Sequence, residues 1–396
     1  MLPEGWKLGD FGSIGKWTGG GTPSKANDHF WTGGTIPWVS PKDMTSGKIC
    51  GTEDYITPEA IKNSATRLYP AGSVMIVTRS GILRKKLPVA IAELPITVNQ
   101  DLKVLPYNKQ FSPEYVYNYI LCFNNEILNT CAKEGTTVES IDTNSFLGFP
   151  IKLPPLPEQK KIAAILSTWD RAIEGTEKLL ANSQQQKKAL MQQLLTGKKR
   201  LAGFTGEWRN LKLKTFLQES VIPSPQPDPK KRITVRLNLN GVEKREVRGT
   251  ESIDATNYFT RKAGQFIYGK QNIHKGAFGI IPKILDGFET SQDIPCFDFL
   301  PNVCPAWFFY YFTRENIHHT LETKMTGTGS KRLNQKTFLN LTCHAPPIPE
   351  QQAIAAVLST ADEEITAIES DLSRLRQEKK ALMQQLLTGK RRVKVD

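Results

Sequence analysis

The chain has 396 residues, too many for one ordinary domain and suited to two to four. Its 39% hydrophobic and 23% charged content is that of a globular protein, and 52 Lys and Arg against 39 acids give a formal charge of +13. That surplus predicts a polyanionic partner, nucleic acid before a membrane surface, while the lack of any run of about 18 apolar residues excludes a spanning helix. Met1 to Trp6 lack the regions of a signal peptide, and six scattered cysteines form no CxxC pair. A disulfide scaffold and a zinc finger are therefore not expected, and a reducing cytoplasm suits the chain.

From the N-terminus, Gly19-Gly20-Gly21-Thr22 reads as a turn or a phosphate contact, because it fits neither the Walker pattern nor GxGxxG. Turn clusters separate short strand candidates, among them Ser73 to Thr78. Cations fall on the connecting loops: Lys42, then Arg79 and Ser80, then Arg84, Lys85 and Lys86. Gln100-Asp101 follows, then an aromatic helix over 114–124 and Gly135-Thr136-Thr137. The first globule closes near residue 152.

Pro154 and Pro155 lead into a long helix with Pro157 and Glu158 in its first turn and Gly197 as its stop. Apolar residues at alternating steps of four and three make a seam of Ile162, Leu166, Trp169, Ile173, Leu180, Leu190 and Leu194. The helix has about 39 residues and measures roughly 58 Å at 1.5 Å per residue.

The chain then repeats itself. Lys187 to Lys198 returns unchanged as Lys379 to Lys390, and Pro157-Glu158-Gln159 returns as Pro349-Glu350-Gln351, both 192 positions later. From Pro154 to Arg200, 29 of 47 positions are identical in the second copy. The same offset links Gln100-Asp101 to Gln292-Asp293 and Phe146 to Phe338, whereas Trp6 matches Trp208 at an offset of 202. The second globule, 201–344, carries a strand candidate at Gln265 to Tyr268, loop residues Lys270, Gln271, Asn272, His274 and Lys275, an aromatic helix over 306–314, and Gly327 to Arg332 with Lys331 and Arg332. The second long helix, within 345–392, has its own seam of Ile354, Leu358, Ile365, Ile368, Leu372, Leu375, Leu382 and Leu386. Lys187 and Lys379 interrupt the two seams at matching places and suit a register-fixing role.

The expected fold is α+β: two mixed globules, 1–152 and 201–344, separated by two helical spacers, 153–200 and 345–392. Matched seams predict that the spacers pack antiparallel, as a tandem repeat with pseudo-two-fold symmetry and neighbouring termini. No Walker motif, no Asn/Asp-Pro-Pro-aromatic stretch and no metal-ligand spacing is present; Asp228-Pro229-Lys230 and Cys343-His344 are isolated fragments. The loop residues Lys42, Arg79, Ser80, Arg84, Lys85, Lys270, Gln271, Asn272, Lys275, Lys331 and Arg332 are the candidate DNA contacts. Arg, Lys, Gln and Asn suit base edges, and Lys also suits phosphates, although each could be a solvated loop residue. The recurring Gln-Asp pairs suit a structural role.

Two variable globules, each followed by Leu-Pro-Pro-Leu-Pro-Glu-Gln or its counterpart and a helix ending Leu-Leu-Thr-Gly-Lys, resemble the specificity subunits of Type I restriction–modification systems. The resemblance spans essentially the whole chain. It implies that each globule is a target-recognition domain for one half of a split DNA site, and that the helix pair sets the gap. It also implies two docked modification subunits and, through them, restriction subunits. S-adenosylmethionine, ATP and Mg would then belong to those partners, with no cofactor or catalysis in this chain. A coiled-coil adaptor and a self-contained restriction or methylation enzyme are the alternatives; the first leaves the cationic globules unexplained, and the second lacks its motifs.

Overall fold

The computed structural model describes residues 2–133, 138–247, 249, 256–327 and 331–394. The chain divides into two compact units: Met1–Glu177 with Ser370–Asp396, and Lys178–Glu369. Each unit therefore holds one globule, the start of one long helix and the end of the other. The helices are Leu156–Leu194 and Ile348–Leu387, 39 and 40 residues long.

In the first unit, a five-stranded sheet runs in the order Thr18–Gly19, Leu102–Leu105, Val74–Val77, Val89–Ala92, Lys48–Ile49. A three-stranded sheet (Asp54–Ile56, Ile36–Val39, Thr97–Val98) lies beside it, and Lys7–Asp10 pairs antiparallel with Pro150–Leu153. Val74–Val77 reads as an unbroken apolar run because both its faces are covered. Val74 and Ile76 face the aromatic helix Pro113–Cys122 through Tyr115, Val116 and Tyr119, while Met75 and Val77 join Val39, Ile49 and Val98 on the other side. Gly20 is required: a Cβ there would lie 1.8 Å from the Val98 carbonyl oxygen. The glycine loop is thus a packed connection, with the Gly21 N–H donating to that same oxygen at 3.0 Å.

The second unit repeats the scheme. Its four-stranded antiparallel sheet runs Leu217–Ser220, Cys296–Phe299, Phe266–Tyr268, Phe278–Ile280. Phe266 and Tyr268 pack with Trp307, Phe308 and Phe312 of the helix Pro305–Thr313, and Ile267 faces Ile233, Ile281 and Leu285. The strands Val74–Val77 and Phe266–Tyr268 and the two aromatic helices keep the offset of 192. The slip to 202 arises upstream of them. There the first globule supplies two strands of its three-stranded sheet, Ile36–Val39 and Asp54–Ile56, and the second builds a β-hairpin from Ile233–Val235 and Val242–Lys244.

The seams do two jobs. At the helix ends they belong to the globular cores: Ile162, Leu166, Leu382 and Leu386 in the first unit, and Leu190, Leu194, Ile354 and Leu358 in the second. Towards the middle, Trp169, Ile173, Leu180, Ile365 and Leu375 are only half-buried, while Ile368 and Leu372 are buried. Within the first unit, Asp170 pairs with Lys379 and Glu177 with Arg376. Within the second, Ser183 donates to Glu364 and Lys187 pairs with Asp362. In both, the partner number falls as the residue number rises, so the helix segments run antiparallel. The two seam lysines meet equivalent aspartates, as a register-fixing role requires.

Candidate nucleic-acid interface

The Pro-Glu-Gln motif fastens each globule to its helices. The Glu158 carboxylate, 2% exposed, accepts from Trp6 Nε1 at 3.1 Å and from Arg392 Nε and Nη2 at 2.8 and 2.9 Å. Glu350 is held the same way by Trp208 at 3.1 Å and Arg200 at 2.9 and 2.5 Å. Arg392 also donates to the Glu4 carbonyl at 3.0 Å, which brings the terminal segments together. Gln159 accepts from the Ser112 N–H and donates to the Pro154 carbonyl; Gln351 does so with Cys304 and Pro346. The sequence showed these residues recurring, but apart from the neighbouring Pro154 and Pro346 carbonyls their partners lie 47 to 234 positions away.

On this frame the two cationic loops occupy equivalent places. The first follows strand Val74–Val77 and leads through a short 3-10 turn, Gly81–Arg84, to the next strand. The second follows Phe266–Tyr268 and passes through the turn Ile273–Lys275. The start of each is tied down alike. The Thr78 N–H donates to the Asp101 carbonyl at 2.7 Å and the Lys270 N–H to the Asp293 carbonyl at 3.0 Å. The Thr78 and Lys270 carbonyls in turn accept from Ile141 and Leu333. The aspartates of the recurring Gln-Asp pairs thus brace the loops, so that Arg79-Ser80 and Gln271-Asn272 stand at matching positions.

The candidate residues differ in what their side chains are free to do. Arg79 and Lys85 are exposed, Arg84 pairs with Glu139, and Ser80 is half-buried and caps the turn. The Arg84 contact holds the Glu139 carboxyl below its ordinary pKa. Lys42 stands apart on the turn Pro41–Asp43, bridged to Glu53 and Asp54 at 2.7 and 3.0 Å, which raises its pKa. In the second unit Gln271 and Lys275 are exposed and Lys270 and Asn272 half-buried, the Asn272 side chain making no capping bond. Lys331 lies 3.6 Å from Glu322 and Arg332 2.9 Å from Asp293, so both cations are partly neutralised. Burial lowers the pKa of His274 on the same turn. Residues 135–137 and 328–330, which completed two loops of the sequence reading, lie outside the described residues.

The structure adds residues that the sequence did not single out. Asn125, Asn129 and Lys133 join Arg84 and Lys85 around a cleft of about 520 Å³ in the first unit. Asn125 and Asn129 sit on the helix Asn124–Cys131 and Lys133 just beyond its end, and only the tertiary fold carries them to the loop. Among the described residues no cluster of His, Cys, Asp and Glu could hold a metal ion, and no helix is long and apolar enough to cross a membrane. Cys343 is buried and His344 contacts Asn210 and the Trp208 ring.

A family profile, the Type I restriction modification DNA specificity domain, matches residues 3–185 and again 233–375. The chain belongs to this family. Among similar specificity-domain proteins, the Type I restriction enzyme EcoR124I/EcoR124II specificity subunit of Escherichia coli is 45% identical over 165 residues, 42% of this chain and 40% of that protein. The MjaIX specificity subunit of Methanocaldococcus jannaschii is 33% identical over 184 residues, 45% of this chain and 40% of that protein. These matches thus span well under half the length of either relative. The MjaVIII specificity subunit of the same organism is 24% identical across 99% of this chain and 94% of its own. The fold is shared with the S subunit of a Type I restriction-modification system from M. genitalium, at TM-score 0.58 and 12% identity over 96% of each chain. It is shared too with the HsdS subunit from Thermoanaerobacter tengcongensis, at TM-score 0.52 and 18% identity over 98% of each.

Proposed function

We propose that this chain is the DNA-reading subunit of a Type I restriction–modification complex and has no catalytic activity of its own. Each globule reads one half of a bipartite target in double-stranded DNA. The helix pair sets the gap and docks two modification subunits, and through them the restriction subunits. S-adenosylmethionine, ATP and Mg act in those partners, and the complex works in the cytoplasm. The observation that carries this reading is the duplication itself. Two globules of one architecture present a loop at the same place, Arg79-Ser80 in one and Gln271-Asn272 in the other, while the helix segments stay nearly identical. Reading heads that differ, mounted on anchors that do not, suit two different half-sites and two copies of one partner.

The test is to co-express the chain with a candidate modification subunit and map methylated adenines across the genome. One split motif is expected. Exchanging residues 205–345 for those of a relative should change one half of it and leave the other. A continuous motif, a change in both halves, or methyl transfer by the purified chain alone refutes the proposal.

A further inference from the structure

The β-hairpin of the second unit ends in a tight turn at Leu237–Asn240, closed by the Asn240 N–H donating to the Leu237 carbonyl at 3.2 Å. Asn238 and Leu239, its central residues, have φ of 57° and 60°, the left-handed pair of a type I′ turn. Leucine is unfavourable there, where glycine is usual. The conformation is held because the tip is sewn to the recognition loop: Asn238 N–H donates to the Lys275 carbonyl at 2.8 Å, and Leu239 N–H to that of Gly276 at 3.1 Å. The Leu239 side chain packs on the aromatic core, leaving Leu237 to point outwards, 42% exposed. Asn238 and Asn240 are exposed beside it, and neither side chain has a hydrogen-bond partner among the described residues. Tip and loop together form one braced surface bearing four uncommitted amides, Asn238, Asn240, Gln271 and Asn272. Leu237 adds an apolar side chain and Lys275 a flanking cation, while Arg236 beside them is paired with Glu243.

Side-chain amides pair with the N6 and N7 edge of adenine in the major groove, and an apolar side chain suits the thymine methyl. A two-stranded ribbon is narrow enough to enter that groove. We infer that the hairpin tip reads A·T base pairs of the second half-site together with the Gln271-Asn272 loop, through Asn238, Asn240 and Leu237. Among the described residues the first globule has no such hairpin, and its loop carries Arg79 and Ser80 at the equivalent place.

This inference rests on the proposed DNA-reading role, and the experiment separates the two. The assembled complex, chain plus modification subunits, selects sites from a duplex library randomised in both halves. The wild-type chain is compared with Leu237→Ala, Asn238→Gly, Asn240→Ala and the triple variant. Glycine adopts the left-handed conformation freely, so Asn238→Gly removes the amide while keeping the turn and the melting temperature. Loss of one amide should cut the preference for an A·T pair at one position of the second half by roughly 5- to 150-fold, with the first half unchanged. A triple variant that selects the wild-type second half overturns the inference. Equal weakening of every sequence also overturns it, since that marks phosphate contact. Failure of the wild-type complex to select a split site refutes the DNA-reading role instead.

Discussion

Replacing Gln159 by Leu tests whether the recurring Pro-Glu-Gln motif is a structural fastening. Gln159 is 4% exposed; it accepts from the Ser112 N–H at 3.0 Å and donates to the Pro154 carbonyl at 2.9 Å. Leucine fills nearly the same volume, so little cavity forms. Both backbone groups are then left without a partner, at about 1–3 kcal/mol each, or about 2–6 kcal/mol together. The duplication supplies the control, because Gln351→Leu removes the equivalent bonds to Cys304 and Pro346 in the other unit. Hydrogen exchange read by mass spectrometry resolves the units: Gln159→Leu should raise exchange in residues 2–133 and 150–177, and Gln351→Leu in 205–345. Recognition should fail in the matching half-site. A loss below about 1 kcal/mol, or one spread evenly over both units, would refute the fastening role and point to a surface role for the motif.

Three further outcomes are expected. Gly20→Ala should cost about 3 kcal/mol, since its Cβ would meet the Val98 backbone at 1.8 Å, whereas Gly81→Ala, with nothing within 4 Å, should be nearly neutral in thermal melts. DNA binding by the complex should weaken steeply with salt; Lys275→Ala should lower the slope of log K against log salt by about one, and Lys42→Ala, already bridged to Glu53 and Asp54, should leave it unchanged. Burial depresses the pKa of His274, so the unfolded chain binds the proton more readily, and this residue's contribution to stability is lost as pH falls below about 6.5. Protection factors around residues 270–280, referred to the intrinsic exchange rate at each pH, should fall from pH 7.5 to 5.5 in the wild type and fall less in His274→Gln; equal falls would exclude His274 as the cause.

The duplication, the two long helices and the mixed globules are all legible in the order of the residues. Repeats and heptad spacing are local, additive signals: Leu166 and Leu358 lie where the four-three pattern puts them, and both are fully buried. The sequence also marked the two cationic loops, because turn residues and charges stand out between apolar runs such as Val74–Val77. What lies against those loops depends on how the chain folds back on itself. Asn125 and Asn129 meet Arg84 across 41 to 45 positions, and the Asn238 turn meets Lys275 across 37, through strands whose order no short-range pattern encodes. The same holds for charge. Lys42 and Lys275 look alike in the chain, yet one is spent on Glu53 and Asp54 while the other has no ion-pair partner among the described residues. A side chain's type is written in the sequence, but its freedom to bind depends on which distant groups folding brings within about 4 Å.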